Sequence, residues 1–218
     1  MAGWPEAERE YRAALALKSD DVDSRYGLGA VLAEQGRPEE GLRELEAARA
    51  LRPDDPDIYV ALGATYETLG HADEAMRQYE NALSLDSSSA GAHSNLGILE
   101  HKLGHPDVAL REVTAAVRLK PDNADYRFNL ATVYTARGQH PDAERELRVA
   151  VARRPQWAEA HANLGIALAR QKRFREAVTE FETAVRLAPD NPTLQRNLAL
   201  AQRDAAGSRP PPPRPRTP

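Results

Sequence analysis

Apolar and small residues recur along this chain with a period of 34 residues. Counted from Val22, this period divides most of the chain into five segments, residues 22–55, 56–89, 90–123, 124–157 and 158–191. With positions numbered from the first residue of each segment, leucine always occupies position 7, and small residues occupy positions 8, 20 and 27. A fixed period of this length predicts one supersecondary unit that is copied along the chain.

Each unit is predicted to contain two helices. Positions 4, 7, 8 and 11 lie on one face of a first helix, and positions 20, 24 and 27 lie on one face of a second helix. Glycine at position 15 is typical of the left-handed residue that ends a helix, and Lys172 replaces it in the last unit. Proline at position 32 ends the second helix, and a polar pair at positions 33 and 34 offers N-caps to the next unit. The position-15 glycines are Gly36, Gly70, Gly104 and Gly138. Position 32 carries Pro53, Pro121, Pro155 and Pro189, with Ser87 in the second unit, and the polar pairs are Asp54 with Asp55, Ser88 with Ser89, Asp122 with Asn123, and Asp190 with Asn191.

The second unit resembles the signature of the tetratricopeptide repeat, a family with the same period. The resemblance extends over five full units, a half-unit and a capping helix. It departs locally at Glu100, which replaces an apolar residue at position 11, and at Gly41, which replaces alanine at position 20. It implies an all-α fold, a right-handed α-solenoid of antiparallel helix pairs with about twelve helices. The residues that carry it are Tyr59, Leu62, Gly63, Tyr66, Ala75 and Tyr79.

The two ends of the repeat differ from its middle. Residues 1–21 fit the second half of a unit, since Tyr11 matches position 24, but no first helix precedes them. Tyr11 and its neighbours are therefore expected to lack a partner on one edge. Residues 192–205 fit a capping first helix, which gives a repeat domain of residues 1–205. The Pro- and Arg-rich residues 206–218 are expected to be a disordered tail.

Position 6 of the first helices carries asparagine in four consecutive copies, at Asn95, Asn129, Asn163 and Asn197. This position points away from positions 4, 7, 8 and 11, and in the resembled family that side lines a concave groove. A carboxamide both donates and accepts hydrogen bonds. With helices ~8–10 Å apart, one asparagine would meet about every third residue of an extended peptide. The row is similar to the asparagine ladder in the repeat region of O-linked N-acetylglucosamine transferases, which grips extended peptides. The alternatives are that asparagine is common at this position throughout the resembled family, including members with unrelated ligands, or that each asparagine bonds within its own helix turn.

Two further rows flank the asparagines. Acidic residues at position 2 would form a rim that favours a basic ligand, although acids in a first turn also complement the helix dipole. Apolar residues at position 9 suggest contact with a partner, although packing between neighbouring first helices explains them equally well. Position 6 carries no lysine or arginine, which argues against the basic clamp with which some members of the family hold an acidic chaperone tail. The candidate groove residues of these rows are Asp125 and Glu159 at position 2, and Ile98, Thr132 and Ile166 at position 9.

Composition narrows the classes of function. The net charge of −4 gives no basic field for nucleic acid, and the absence of cysteine excludes disulfides and thiolate metal sites. No stretch is apolar enough for a membrane span or a signal peptide, which favours a cytoplasmic location. His101 and His105 have the spacing of a helical metal pair, but Gly104 between them is expected to end the helix. Since no phosphate loop or nucleophile motif is apparent either, neither a metal nor a cofactor is expected.

The sequence therefore predicts a non-enzymatic protein-interaction scaffold. Its groove would bind an extended segment of a protein partner, with no nucleic-acid or membrane partner. The alternative is that the chain is the substrate-recruiting or regulatory repeat portion of a larger protein, truncated at its N-terminus, such as a peptide-modifying glycosyltransferase. A third option is self-association through the N-terminal edge.

Overall fold

A computed structural model of the chain describes residues 4–207, which form twelve helices and no strand. The helices alternate between first and second helices of the repeat, and the middle ones begin and end at equivalent positions in every unit. They are α1 Trp4–Leu17, α2 Val22–Glu34, α3 Pro38–Leu51, α4 Pro56–Thr68, α5 Ala72–Leu85, α6 Ala90–Lys102, α7 Pro106–Leu119, α8 Ala124–Ala136, α9 His140–Arg153, α10 Ala158–Arg170, α11 Phe174–Leu187 and α12 Pro192–Gly207.

Every first helix from α2 to α10 ends in the same backbone motif. The glycines at position 15 have φ between 72° and 84°. The N–H of position 16 donates to the carbonyl of position 11 at 2.9–3.0 Å. This is a Schellman cap, which closes the helix and turns the chain toward the next one. Lys172 completes the same cap with a φ of 61°, so the turn is preserved where the glycine is missing.

Side chains cap the N-termini of most first helices, which confirms the predicted N-caps. The side-chain oxygen of the residue at position 34 of the preceding unit accepts a hydrogen bond from the backbone N–H two or three residues later. Trp157 occupies the same place before α10 and makes no such bond. The capping residues are Asp21, Asp55, Ser89, Asn123 and Asn191.

A side chain at position 4 ties each first helix to the turn before it. It hydrogen-bonds the backbone carbonyl of position 32 of the preceding unit, six residues back, at 2.6–3.2 Å. In four units it also bonds a glutamate at position 23 of the second helix. We call this pair of contacts the turn clamp. The position-4 residues are Arg25, Tyr59, His93, Arg127, His161 and Gln195, and the glutamates are Glu44, Glu112, Glu146 and Glu180.

The two helices of a unit approach closely at positions 8 and 20. A Cβ placed on Gly41 would lie 2.6 Å from the carbonyl oxygen of Gly29. At that distance the two atoms clash, so any residue other than glycine would require the backbone to move. Alanine at position 20 would therefore separate α2 from α3, which explains the local departure from the family pattern. In the next unit, a Cβ on Gly63 would lie 2.4 Å from the ring of Tyr79, so this glycine makes room for an aromatic side chain.

The described residues form two compact units, one ending at Lys120 and the other beginning at Pro121. Each of the two compact units has its own buried core. Leu45, Leu62 and Tyr79 are fully buried in the first compact unit, and Leu164 and Leu168 are fully buried in the second. The boundary lies within the third unit of the sequence repeat, just before its position 32.

Glu100, the charged residue at an apolar position, is buried but not isolated. It is 8% exposed, and its carboxylate contacts Nδ1 of His105 at 2.6 Å. His105 follows the turn after α6, so the pair links the end of one helix to the start of the next. The imidazole thus gives the buried carboxylate a partner, as a buried charge requires.

The ring of Tyr11 packs on α2 of the following unit, where a Cβ on Gly27 would lie 2.3 Å from ring atom Cζ. That Tyr11 lacks a partner on its other side, where a first helix of its own unit would pack, stays a prediction. The other end of the chain requires a correction. The last helix was expected to end at residue 205, but α12 continues to Gly207, because Ala205 and Ala206 sustain the helix up to the glycine. The remaining residues of the expected disordered tail, 208–218, lie outside the described residues, as do residues 1–3 of the half-unit.

Substituting glycine for Lys172 should stabilise the protein. A left-handed conformation costs a non-glycine residue ~1–2 kcal/mol, and glycine returns part of that gain through its greater unfolded-state entropy. We expect Lys172→Gly to raise the free energy of unfolding by about 0.5–1 kcal/mol. Urea denaturation followed by circular dichroism measures the change.

The control for this prediction is Glu182→Gly, an exposed position in the interior of α11. There glycine should lower the free energy of unfolding by about 0.5–1 kcal/mol, because helix propensity alone acts. The prediction is contradicted when Lys172→Gly destabilises the protein as much as the control does.

Candidate functional site

Asn95 lies in the first compact unit and is held by a neighbouring aromatic side chain. It is half-buried on α6, and its carboxamide contacts the hydroxyl of Tyr79. That hydroxyl donates to Glu67 at 2.9 Å, and Lys102 contacts the same carboxylate at 3.2 Å. Burial, and next the negative charge of Glu67, raise the pKa of Tyr79 far above its usual value, so the hydroxyl stays a neutral donor. Asn95 is thus oriented by a helix of the preceding repeat, rather than only by its own helix.

The other three asparagines lie in the second compact unit. Asn129, Asn163 and Asn197 occupy equivalent positions on α8, α10 and α12, and all three are half-buried. A carboxamide has two donor and two acceptor sites, so one internal contact leaves capacity for a ligand. The prediction that these side chains form one peptide-binding row together with Asn95 stays a prediction.

Asn197 and Ile166 line a common depression of about 370 Å³ between α10 and α12. Its floor includes Phe181, which is 3% exposed, and its rim includes Leu200, which is 43% exposed. Two of the predicted groove residues are therefore brought together around an apolar cavity within the size range of ligand pockets.

The first compact unit has a depression at the equivalent place, between α2 and α4, of about 400 Å³. Its walls are made of small side chains, including Ala30, Ala61 and Thr68, with Glu34 as the charged group. The spacing of neighbouring first helices thus opens a cavity at the same repeat positions in both units. What differs between them is the chemistry of the side chains that line it.

The position-9 residues are not simply exposed. Ile98, Thr132 and Ile166 are all half-buried. Ile166 packs against the core cluster of the second unit, and the hydroxyl of Thr132 donates to the carbonyl of Phe128 at 3.0 Å. These contacts favour the packing interpretation for much of this row, while Ile166 also reaches the depression.

The acidic row at position 2 is partly neutralised. Asp125 forms an ion pair with Arg154, whose guanidinium lies 3.9 Å from the ring centroid of Trp157. Asp23 likewise pairs with Arg52 at 3.0 Å. Glu159 is exposed and has no ion pair with any residue between 4 and 207. Since two of these acids already have internal cation partners, the row offers a basic ligand less charge than its sequence indicates.

Trp157 is a distinctive surface residue that the sequence analysis missed. It stands at position 34, where the other units carry aspartate, serine or asparagine as N-caps. Its ring stacks on Phe128 with centroids 4.5 Å apart, and it lines a cleft of about 520 Å³ with Arg154 and Pro155. The break in the capping series was the available signal, because tryptophan cannot accept a capping hydrogen bond.

Comparison with family models shows to which protein family the chain belongs. Residues 20–88 match one tetratricopeptide repeat model, and residues 94–158, 135–192 and 162–208 match a second model of the same description. The chain belongs to the tetratricopeptide repeat family. This confirms the predicted family and the predicted all-α fold of helix pairs. Arrays of this family are repeat scaffolds for protein–protein interaction, and the family is generally non-enzymatic.

Solved structures share this tetratricopeptide repeat fold. The chain matches the APC/C hetero-tetramer Cut9–Hcn1 with a TM-score of 0.86 at 16% identity, over 92% of this chain and 40% of that one. It matches YrrB, a repeat protein with an unusual peptide-binding site, with a TM-score of 0.63 at 21% identity, over 88% and 97% of the two chains. It matches TTC0263, a repeat protein from Thermus thermophilus, with a TM-score of 0.67 at 23% identity, over 83% and 98%. The chain therefore spans less than half of the Cut9–Hcn1 chain and nearly all of the other two.

No curated protein sequence matches this chain. Among the helices of residues 4–207, none combines the length and apolar character that crossing a membrane requires.

The contact between Tyr79 and Asn95 can be tested by removing one hydroxyl. Tyr79→Phe leaves Glu67 and Asn95 without a buried partner, and a hydrogen bond to a charged group is worth about 1.5–3 kcal/mol. We expect the free energy of unfolding to fall by about 1.5–2 kcal/mol in urea denaturation. The side-chain amide resonances of Asn95 should also shift in NMR spectra.

The matched control is Tyr26→Phe, since Tyr26 is 36% exposed and belongs to the same compact unit. Removal of this hydroxyl should change the free energy of unfolding by less than about 0.5 kcal/mol. Equal effects of the two substitutions would show that Tyr79 does not orient Asn95.

Proposed function

We propose that this protein is a non-enzymatic, cytoplasmic scaffold that holds an extended segment of a protein partner along the position-6 asparagines, Asn95, Asn129, Asn163 and Asn197. The observation that carries the proposal is the place of these carboxamides. They are half-buried at equivalent positions of successive first helices, and Asn197 borders an open depression. Such side chains can pair with a peptide backbone without depending on its sequence.

The spacing of the repeat supports an extended ligand. Neighbouring first helices pack ~8–10 Å apart, and an extended chain advances ~3.3 Å per residue. One asparagine therefore meets about every third residue of the ligand, and the residues between them point toward the walls of the groove. The position-9 side chains and Glu159 would contact those intervening residues. That YrrB is a repeat protein with an unusual peptide-binding site agrees with this use of the fold.

Helix propensity supports a binding role as well. Asparagine costs a helix interior up to ~0.7 kcal/mol relative to alanine. Asn163 and Asn197 make no hydrogen bond to another residue within the described chain that would offset this cost. Residues that break a local rule without a packing gain tend to serve function.

A second candidate is that the chain is the repeat portion of a larger protein, such as a peptide-modifying glycosyltransferase. The observation that favours it is the match to Cut9–Hcn1, of which this chain covers 40%. The groove would then recruit a substrate or regulate the remaining portion. Genomic sequence upstream of Met1 discriminates the two, because an in-frame helix with the position 4–7–8–11 pattern would support the larger protein, and an in-frame stop would count against it.

The asparagine row is tested with Asn129→Ala/Asn163→Ala/Asn197→Ala and with peptides selected from a displayed library of random twelve-residue sequences. We expect affinity for the selected peptides to fall at least tenfold, because each lost carboxamide removes a backbone contact worth about 0.5–1.5 kcal/mol. The Asn163 and Asn197 substitutions should leave stability equal or raise it, since alanine is the better helix former. Fluorescence anisotropy and urea denaturation measure the two quantities.

The matched control is Asn81→Ala, an exposed asparagine on the second helix α5. This variant should bind the selected peptides with unchanged affinity. Methylation of the peptide backbone nitrogens gives a second readout, because it should weaken binding to the parent protein and have little effect on the triple variant. Full binding by a folded triple variant would overturn the proposal.

A further inference from the structure

The depression between α10 and α12 has an apolar interior and a basic edge. Phe181 and Ala201 at its base are 3% and 4% exposed, so the floor is a part of the packed core. Ile166 and Leu200 add apolar walls. The charged residues of the lining are Arg170 and the ion pair of Arg203 with Asp204, at 3.1 Å, so Arg170 is the cation that has no ion pair among the described residues. A cavity of this kind desolvates an apolar side chain while leaving a polar neighbour at the rim.

A second, smaller depression of about 220 Å³ adjoins the first. Phe174 lines both of them, so the two depressions share this aromatic residue. The smaller depression is bordered by Lys172, Arg173 and Arg175, with Glu176 as its acidic member. The apolar cavity therefore continues into a surface that is rich in cations.

The cations of this surface differ in what they already bind. Arg173 is neutralised internally, because it contacts Glu144 and Glu176 at 2.6 Å each. Arg170, Lys172 and Arg175 form no ion pair with any residue between 4 and 207. These three side chains remain available for an anionic group of a ligand.

The charge of the second compact unit agrees with this local pattern. Among the described residues, 121–207 carry 13 basic and 11 acidic side chains, a net charge of +2, whereas 4–120 carry 13 and 22, a net charge of −9. The equivalent depression of the first unit has Glu34 and alanine side chains in place of cations and aromatic rings. An acidic ligand is therefore favoured at the second unit and disfavoured at the first.

We propose that the α10–α12 depression is an anchor site for a peptide that carries a large apolar side chain within two residues of an aspartate or glutamate. The apolar side chain occupies the cavity over Phe181, and the carboxylate is bound by Arg170, Lys172 and Arg175. This rests on the proposed peptide-binding function and adds the side-chain chemistry that the asparagines do not select. It assigns an acidic partner segment to a protein whose net charge is itself negative.

The test selects displayed random twelve-residue peptides against the full chain, with acetylated and amidated synthetic copies for measurement. We expect leucine, phenylalanine or methionine to be enriched beside aspartate or glutamate, and lysine and arginine to be depleted. In the synthetic copies, replacing the apolar residue by alanine or the acid by glutamine should each weaken binding at least fivefold. Enrichment of basic residues, or of no apolar–acidic pair, would overturn the inference.

Charge reversal tests which residues bind the carboxylate. Arg170→Glu/Arg175→Glu should weaken binding of the acidic peptide at least tenfold and strengthen binding of its lysine counterpart. The control Arg186→Glu/Arg196→Glu makes the same change in net charge on exposed residues that line neither depression, so its affinity should stay within twofold. Equal effects of the two double variants would assign the preference to net charge and refute the site.

Replacing an apolar wall residue by an uncharged polar one tests the apolar contact separately from charge. Leu200→Gln changes an exposed rim residue, so the fold should persist, and binding of the selected peptides should fall at least tenfold. If Asn163→Ala weakens binding of the selected peptides, but neither Leu200→Gln nor charge reversal does, the groove stands and the anchor site is refuted. When no peptide is enriched over an empty support, the groove and the anchor site both fail.

Discussion

The structure depends on the turn clamp, in which a polar side chain at position 4 binds the carbonyl that precedes its helix. The carbonyl at position 32 lies in an exposed turn, so this hydrogen bond does not satisfy a buried group but ties the turn to the start of the following helix. The guanidinium of Arg127 binds the carbonyl of Pro121 and also the carboxylate of Glu146 on the second helix of its unit. One side chain thus connects a turn and two helices.

The surface used for binding follows from that connection. Because the turn clamp ties each first helix to the turn before it, the residues at positions 6 and 9 recur at equivalent places on successive first helices. Cavities open between neighbouring first helices in both compact units. The repeat supplies the cavity, and local substitutions determine its chemistry. One depression is lined by small alanine and threonine side chains with Glu34, whereas Ile166, Phe181 and Arg170 give the other an apolar base and a cation at its edge. Specificity can therefore differ between units of one fold.

Much of the fold could be predicted from sequence because the residues that end helices act locally. Positive φ at position 15 and proline at position 32 place helix ends without knowledge of distant contacts. The turn clamp could not be predicted, since Arg25, Tyr59 and His93 share only a hydrogen-bond donor, and their common partner is a backbone carbonyl. The candidate asparagines were visible as a row, but the contact of Asn95 with Tyr79 and the anchor depression arise from side chains of several helices.

A double-mutant cycle on Arg127 and Glu146 tests the turn clamp most directly. Glu146 is 4% exposed, and Arg127 also holds the carbonyl of Pro121, so the two side chains should be strongly coupled. From Arg127→Ala, Glu146→Ala and the double variant, urea denaturation should give a coupling free energy of about 1.5–3 kcal/mol. Additive effects, with a coupling below about 0.5 kcal/mol, would contradict the account.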